Sequence, residues 1–284
     1  MIILSDIKDV RSKVKEWKAQ GLSVGLVPTM GYLHEGHESL IKRAVLENDK
    51  VVVSVFVNPT QFGPNEDLED YPRDLDRDSN LCEKAGAELI FHPEPKEMYR
   101  EGACTKVHVD GLTTGLCGKS RPIHFDGVCT VVSKLFNIIP ADRAYFGEKD
   151  AQQLAVIKRM VRDLNFDIEI VGCPIIREED GLAKSSRNTY LSTEERKAAL
   201  VLSRSLSKAK EVINSGVTDV SIIKETICEI IEKEPCAKID YVEIVDSEEL
   251  VSVDKIEKDV LIALAVYIGK TRLIDNFTYI CRGN

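Results

Sequence analysis

Residues 22–57 read LSVGLVPTMGYLHEGHESLIKRAVLENDKVVVSVFV, and their order decides the fold class. Leu22 to Val27 is a short apolar run with the look of a strand. From His37 onward, Leu40, Ile41, Ala44 and Val45 fall on one face of an amphipathic helix. Val51 to Val57 is almost continuously β-branched, as suits a strand covered on both faces of a parallel sheet. Strand, helix and buried strand in so short a span predict a βαβ unit.

The same rhythm extends in both directions. Upstream, Ser5 or Asp6 can cap a helix with Ile7, Val10, Val14 and Trp17 facing inward, and Gly21 can end it. Downstream, the pattern predicts a helix from about Arg73 to Ala85 and a strand at Glu88–Phe91. Asp126 can cap a helix with Val128, Val131, Val132, Leu135, Phe136 and Ile139 inward. Arg143–Phe146 reads as a strand, Asp150 as the cap of a helix carrying Leu154, Ile157, Val161 and Leu164, and Asp167–Val171 as another strand. Residues 1–175 are therefore expected to form an α/β domain around a Rossmann-like, doubly wound parallel sheet.

After Pro174 the pattern changes. Ser192-Thr193-Glu194-Glu195 is a capping box at the head of a long helix, and a second helix follows from Asp219 with Ile223, Ile227, Ile230 and Ile231. Three strand-like runs close the chain, near Ile239–Val245, Val260–Ile268 and Arg272–Tyr279. Residues 176–284 thus predict a second, smaller α+β domain, with the polar segment Arg177–Tyr190 as the connection.

Composition narrows the function. A net charge of −9 over 284 residues disfavours binding driven by nucleic-acid phosphates. The longest apolar run, Val260–Ile268, is too short to span a bilayer, and Met1–Leu4 lacks the basic flank of a signal peptide. Eight scattered cysteines without a C-x-x-C pair read as reduced thiols of a cytoplasmic protein, not as zinc ligands.

Four segments can carry chemistry. Pro28-Thr29-Met30-Gly31-Tyr32-Leu33-His34-Glu35-Gly36-His37 leaves a strand and opens a helix, where unpaired N–H groups and the helix dipole attract phosphate. Gly31 and Gly36 admit a bulky ligand close to the backbone. His34 and His37, three apart, share one face and can donate to a charged transition state. Phe56–Gly63 lies at the carboxyl end of the second strand, where Asn58 and Gln61 offer neutral donors and acceptors. Tyr145–Gln153 again joins a strand to a helix. There Lys149 sits against the positive end of the helix dipole, a conflict that a bound anion resolves, and Asp150 can cap the helix or bond a ribose hydroxyl. Lys184-Ser185-Ser186-Arg187 has the makings of a polyanion clamp. Arg121 and His124 can add a basic contact, whereas His92 and His108 read as structural.

Together these segments resemble the pantoate–β-alanine ligase family. The resemblance rests on P-T-M-G-x-L-H-x-G-H at 28–37, F-V-N-P-x-Q-F at 56–62, R-P-x-H-F-x-G-V-x-T-V-V at 121–132, F-G-E-K-D-x-Q-Q at 146–153 and S-S-R-N at 185–188. It implies ATP-dependent condensation of (R)-pantoate with β-alanine, giving pantothenate, AMP and pyrophosphate through a pantoyl adenylate, with Mg²⁺. It implies ATP contacts at Met30, Gly31, Tyr32, Leu33, His34, Glu35, Gly36 and His37, and again at Gly147, Glu148, Lys149, Asp150, Ile176, Lys184, Ser185, Ser186 and Arg187. Catalytic roles fall to His37, His34 and Lys149, pantoate binding to Gln61 and Gln153, and a place near β-alanine to Gln61. It further implies a homodimer whose smaller domain closes as a lid. One departure is Lys184, a position that is often apolar in the family. From the residues alone, two other readings stay open: a nucleotidyltransferase that stops after moving AMP, and a non-catalytic ATP sensor.

Overall fold

The structure, a computed structural model, describes residues 1–64 and 66–281. It divides into two compact units. One holds Met1–Asp110 and Arg121–Pro174, and the other holds Gly111–Ser120 and the chain from Ile175 onward.

The first unit begins with β1 (Ile2–Leu4), α1 (Ile7–Ala19), β2 (Val24–Thr29), α2 (Glu35–Glu47) and β3 (Lys50–Val55). It continues with α3 (Leu75–Ala85), β4 (Leu89–Phe91) and the short α4 (Pro95–Met98). After α5 (Leu116–Ser120), which belongs to the second unit, come α6 (His124–Ile138), β5 (Arg143–Gly147), α7 (Ala151–Asp163) and β6 (Glu169–Cys173). The six strands form one parallel sheet in the order β1-β4-β3-β2-β5-β6. The central strands are buried on both faces: Leu26, Val27, Val52 and Val53 are wholly inaccessible. This is why their sequences show no polar alternation.

The chain steps outward from β2 to β3 and β4, then crosses back to lay β5 on the other side of β2. That reversal creates a switch point at β2/β5, and ligands of such sheets bind outside the carboxyl ends of the strands there. The H-x-G-H segment leaves β2, and the Lys149 segment leaves β5.

The second unit contains α8 (Thr193–Ala198), α9 (Leu200–Asn214), α10 (Val220–Ile231), β7 (Ala237–Asp246), β8 (Val260–Ile268) and β9 (Thr271–Tyr279). The strands form an antiparallel sheet in the order β7-β8-β9. Ile223, Ile227 and Ile231 of α10 share its core with Ile262, Leu264 and Val266 of β8.

Several local expectations are corrected. The edge strand β1, three residues against Leu89–Phe91, is too short to show a period in the sequence. Helix α6 starts at His124, so Asp126 lies in its first turn and bonds His108 Nδ1 at 2.6 Å instead of capping. Asp6 and Asp150 stand at N-cap positions but make no capping bond through their side chains. The long helix after Ser192 is two helices. The capping box is formed, and Ala199 keeps helical angles (φ −57°, ψ −21°) where the hydrogen-bond ladder changes. Gly111–Ser120 packs with the second unit, where Ser120 Oγ donates to Asp240 Oδ2 at 3.0 Å. A segment recruited across the sequence in this way leaves no local signature. Arg177–Tyr190 is more than a connection: Arg177 makes a bidentate pair with Asp275 of β9 (2.7 and 2.9 Å), and residues 186–190 form a 3₁₀ turn. Among the described residues, no helix is long and apolar enough to cross a membrane.

Candidate active site

The turn from β2 into α2 is sharp. Gly31 and Tyr32 both take left-handed angles (φ 87° and 50°). A side chain at Gly31 would also lie 3.0 Å from Asp78 Oδ2 and 3.1 Å from Val55 Cγ1. Asp78, buried on α3, holds the turn from beneath: its two carboxylate oxygens accept the N–H groups of Tyr32 (2.8 Å) and Leu33 (2.7 Å). Burial pushes the Asp78 carboxyl up from its ordinary range, and the two amide bonds act against that.

The two histidines cap α2 reciprocally. His34 Nδ1 accepts from the Gly36 N–H at 3.1 Å, and His37 Nδ1 accepts from the His34 N–H at 3.2 Å. Their ring centroids are 4.1 Å apart. A backbone N–H can only donate, so the neutral rings carry their proton on Nε2. Burial, then His34, then Lys149 push the His37 pKa down to about 3, with Asp150 opposing. His37 is therefore a neutral imidazole with an Nε2–H donor on the edge away from the backbone. The sequence expectation placed phosphate on the amides of this turn. The amides of Tyr32, Leu33, His34 and Gly36 are already engaged, so phosphate recognition at this turn falls to side chains, the His37 Nε2–H among them.

Beyond β5 the chain makes a 3₁₀ turn at Glu148–Asp150 before α7. Lys149 is half-buried, and both it and Asp150 act electrostatically on His37, which sets this turn beside the H-x-G-H turn. A side chain at Gly147 would meet nothing within 4 Å, so the backbone there is open.

Gln61 closes a 3₁₀ turn (Pro59–Gln61) after β3 and is 7% exposed. Its Nε2 reaches Met30 Sδ at 3.1 Å, tying this motif to the first. Its carbonyl accepts from His124 Nδ1 at 3.1 Å, and Arg121 Nη1 donates to His124 Nε2 at 3.3 Å. Arg121 is itself held bidentately by Glu66 (2.8 and 2.5 Å). Burial and the Arg121 charge lower the His124 pKa to about 4, so it stays neutral and keeps this tautomer. Gly127 of α6 presses on the same turn: a Cβ there would come 2.5 Å from Gln61 Cα. Gln153 lies half-buried on the first turn of α7 and makes no hydrogen bond with this group among the described residues.

Met30, His34, His37, Gln61, Lys149 and Asp150 thus come together in the first unit. Of the other predicted residues, Ile176, Lys184, Ser185, Ser186 and Arg187 lie in the second. Ile176 accepts through its carbonyl from the Lys184 N–H (2.9 Å), Ser185 Oγ accepts from the Arg187 N–H (3.3 Å), Ser186 is buried and Arg187 half-buried. Sequence reasoning missed Asp78, Tyr99 and Glu66, whose importance comes from contacts across 45, 41 and 55 residues of chain. It named His124 only as a basic contact, although the ring is neutral. His92 is structural as expected, its Nδ1 lying 2.8 Å from the Val55 carbonyl.

The chain has counterparts among known proteins. The profile described as Pantoate-beta-alanine ligase matches residues 2–278. The chain belongs to the pantoate–β-alanine ligase family. It is 70% identical to the pantothenate synthetase of Enterococcus faecalis over 279 residues, covering 98% of this chain and 99% of the relative. It is 64% identical to that of Clostridioides difficile, with the same coverage. Among solved structures, pantothenate synthetase from Thermus thermophilus superposes with a TM-score of 0.93 at 48% identity (98% and 99% covered). The pantoate–β-alanine ligase of Francisella tularensis, complexed with β,γ ATP and β-alanine, gives 0.78 at 37% identity (98% and 97% covered). Family membership fits the parallel sheet and the separate small antiparallel sheet seen here.

Proposed function

We propose that the chain carries out the reaction for which its family is named: ATP-dependent condensation of (R)-pantoate with β-alanine, giving pantothenate, AMP and pyrophosphate. The observation that carries this reading is the meeting of His34, His37, Lys149 and Gln61 at the switch point of a parallel sheet, in a chain matched to the family over residues 2–278.

Carboxylates are poor electrophiles, so amide formation needs activation. The pantoate carboxylate attacks the α-phosphorus of ATP, the bond to pyrophosphate breaks, and pantoyl adenylate forms. The β-alanine amine then attacks the acyl carbon, and AMP leaves with the electron pair of the broken C–O bond. The first step is a displacement at phosphorus whose negative charge spreads over oxygens, and positioned donors stabilise it. His37 and His34 supply neutral Nε2–H donors, and Lys149 a full positive charge. Asp150, exposed and without a capping bond, is assigned the ribose. Met30, Gly31, Tyr32, Leu33, Glu35, Gly36, Gly147 and Glu148 line the same nucleotide position. Gln61 and Gln153 hold pantoate, with Gln61 also next to β-alanine. Ile176, Lys184, Ser185, Ser186 and Arg187 are likewise assigned to ATP.

Among the described residues, no cluster of three or more His, Cys, Asp or Glu suits a metal ion. Mg²⁺ would enter with the nucleotide, held by its phosphates and water, and would neutralise phosphate charge. A cytoplasmic homodimer completes the proposal; eight scattered cysteines without a C-x-x-C pair support a reducing compartment.

The test mixes enzyme, Mg·ATP, pantoate and β-alanine, omits each in turn, and assays pyrophosphate, AMP and amide. Pantoate-dependent pyrophosphate with AMP release that requires β-alanine is the expected result. A stable AMP-containing product indifferent to amine would indicate a plain nucleotidyltransferase instead. In the same assay Gln61→Ala is expected to raise the pantoate KM about tenfold while leaving the ATP KM near its starting value, for the loss of a buried hydrogen bond to a charged ligand. An unchanged pantoate KM would remove Gln61 from the site.

A further inference from the structure

The end of the Gln61 amide that faces substrate is set by residues behind it. Asn58, 1% exposed at the head of the Pro59–Gln61 turn, is bonded on both sides. Its Oδ1 accepts from Tyr99 Oη (2.7 Å), Thr60 Oγ1 (3.0 Å) and the Thr60 N–H (3.4 Å). Its Nδ2 donates to the carbonyl of Gly127 (3.1 Å) and to Gln61 Oε1 (3.1 Å). The Thr60 N–H can only donate and the Gly127 carbonyl can only accept, so the Asn58 amide has one allowed orientation. Gln61 must then turn its oxygen toward Asn58, which leaves its NH₂ on the side of Met30.

We propose that Tyr99, acting through Asn58, is a positioning residue that locks the Gln61 amide, so that Gln61 meets pantoate only as a hydrogen-bond donor. The proposal rests on the pantoate-binding reading of Gln61 and adds a direction to it. The oxygens of pantoate opposite Gln61 must accept, which matches a carboxylate or a hydroxyl lone pair. Of the groups on Asn58 Oδ1, the Tyr99 hydroxyl is the closest. Tyr99 itself is fixed at the far side, its hydroxyl 3.2 Å from Thr60 Oγ1, the Lys134 ammonium 5.5 Å from its ring centroid and Phe56 packed at 6.4 Å.

Two variants test this. Tyr99→Phe keeps the ring and removes the hydroxyl. It is expected to raise the pantoate KM about three- to tenfold, as for one lost hydrogen bond in a buried chain, with ATP KM and melting temperature essentially unchanged. A packing role for the ring predicts no change in Tyr99→Phe, and that result would overturn the proposal. Asn58→Asp replaces the donor facing Gln61 by an acceptor, so Gln61 must rotate and present its oxygen. The pantoate KM is expected to rise further than in Tyr99→Phe, while Asn58→Asp enzyme that binds pantoate normally refutes the locking. If Asn58→Asp does not fold, Tyr99→Phe decides alone. Gln61→Ala run alongside separates the two levels. If it leaves the pantoate KM unchanged, the underlying assignment fails; if it raises the KM while both other variants bind normally, only the locking fails.

Discussion

His37→Ala is expected to slow pantoate-dependent pyrophosphate release by about 10²–10³-fold, the effect of deleting one donor to a charge that develops in the transition state. Rapid-quench single turnovers with Mg·ATP and pantoate measure it directly. The side chain acts in a defined state. Its Nδ1 is occupied by the His34 N–H, and its pKa of about 3 keeps it neutral. It can therefore donate from Nε2, and it has no free lone pair with which to act as a base. Adenylation by a carboxylate requires no base, so the chemistry and the tautomer agree. His37→Gln, which sets an amide N–H near the place of Nε2–H, is expected to retain more activity than alanine. Equal loss in the two would argue for a role other than donation. Lys149→Ala should match His37→Ala in size, since it removes the cation from the same neighbourhood.

The same shift has a stability consequence. The folded pKa of His37 lies below its unfolded value of about 6.5, so the unfolded chain takes up the proton first as pH falls. The contribution of His37 to stability is thus fully present above about pH 6.5 and is lost progressively toward pH 3. His124, pushed down to about 4, works in the same direction. His37→Ala should therefore flatten the fall in melting temperature on the acid side, measured between pH 6.5 and 4. A slope identical to that of the unaltered protein would show that His37 is protonated as readily in the fold as out of it.

The sheet was legible because its central strands are buried on both faces and the helices around it carry one-sided apolar stripes. Val51–Val55 and Leu40–Ala44 declare themselves by composition and spacing alone. The H-x-G-H segment was legible because a strand-to-helix turn with two glycines is a local pattern. What stayed hidden was the direction of hydrogen bonds. Nothing in Pro28–His37 reveals that Asp78 takes two of its amides, because that contact spans 45 and 46 residues. His124 looked like a cation and is neutral, since a buried ring between Arg121 and a carbonyl cannot afford a second proton. The extra segment of the second unit went unread for a similar reason: Ser120 of Gly111–Ser120 bonds Asp240, 120 residues away.

Asp78→Ala carries the second large expectation. It leaves the Tyr32 and Leu33 amides without their acceptor beneath a turn in which Gly31 and Tyr32 hold left-handed angles. An unsatisfied buried amide costs about 1–3 kcal/mol, so the pair costs about 2–6 kcal/mol. That is a large share of the roughly 5–15 kcal/mol that stabilises a domain. Strained turns persist only where neighbours over-determine them, so the loss falls first on the turn itself. Displacing it moves both imidazoles together, because His34 and His37 are capped on each other. Adenylation should fall at least as far as in His37→Ala, and hydrogen exchange at the Tyr32 and Leu33 amides should accelerate before that of β2. Asp78→Asn separates the charge from the hydrogen bonds. Its oxygen can still accept one amide, while its NH₂ faces the other donor to donor. An intermediate loss is expected, with one of the two amides still protected. If Asp78→Ala instead melts with the unaltered protein and protects both amides, the carboxylate does not hold the turn, and the alignment of the two histidines must come from α2 alone.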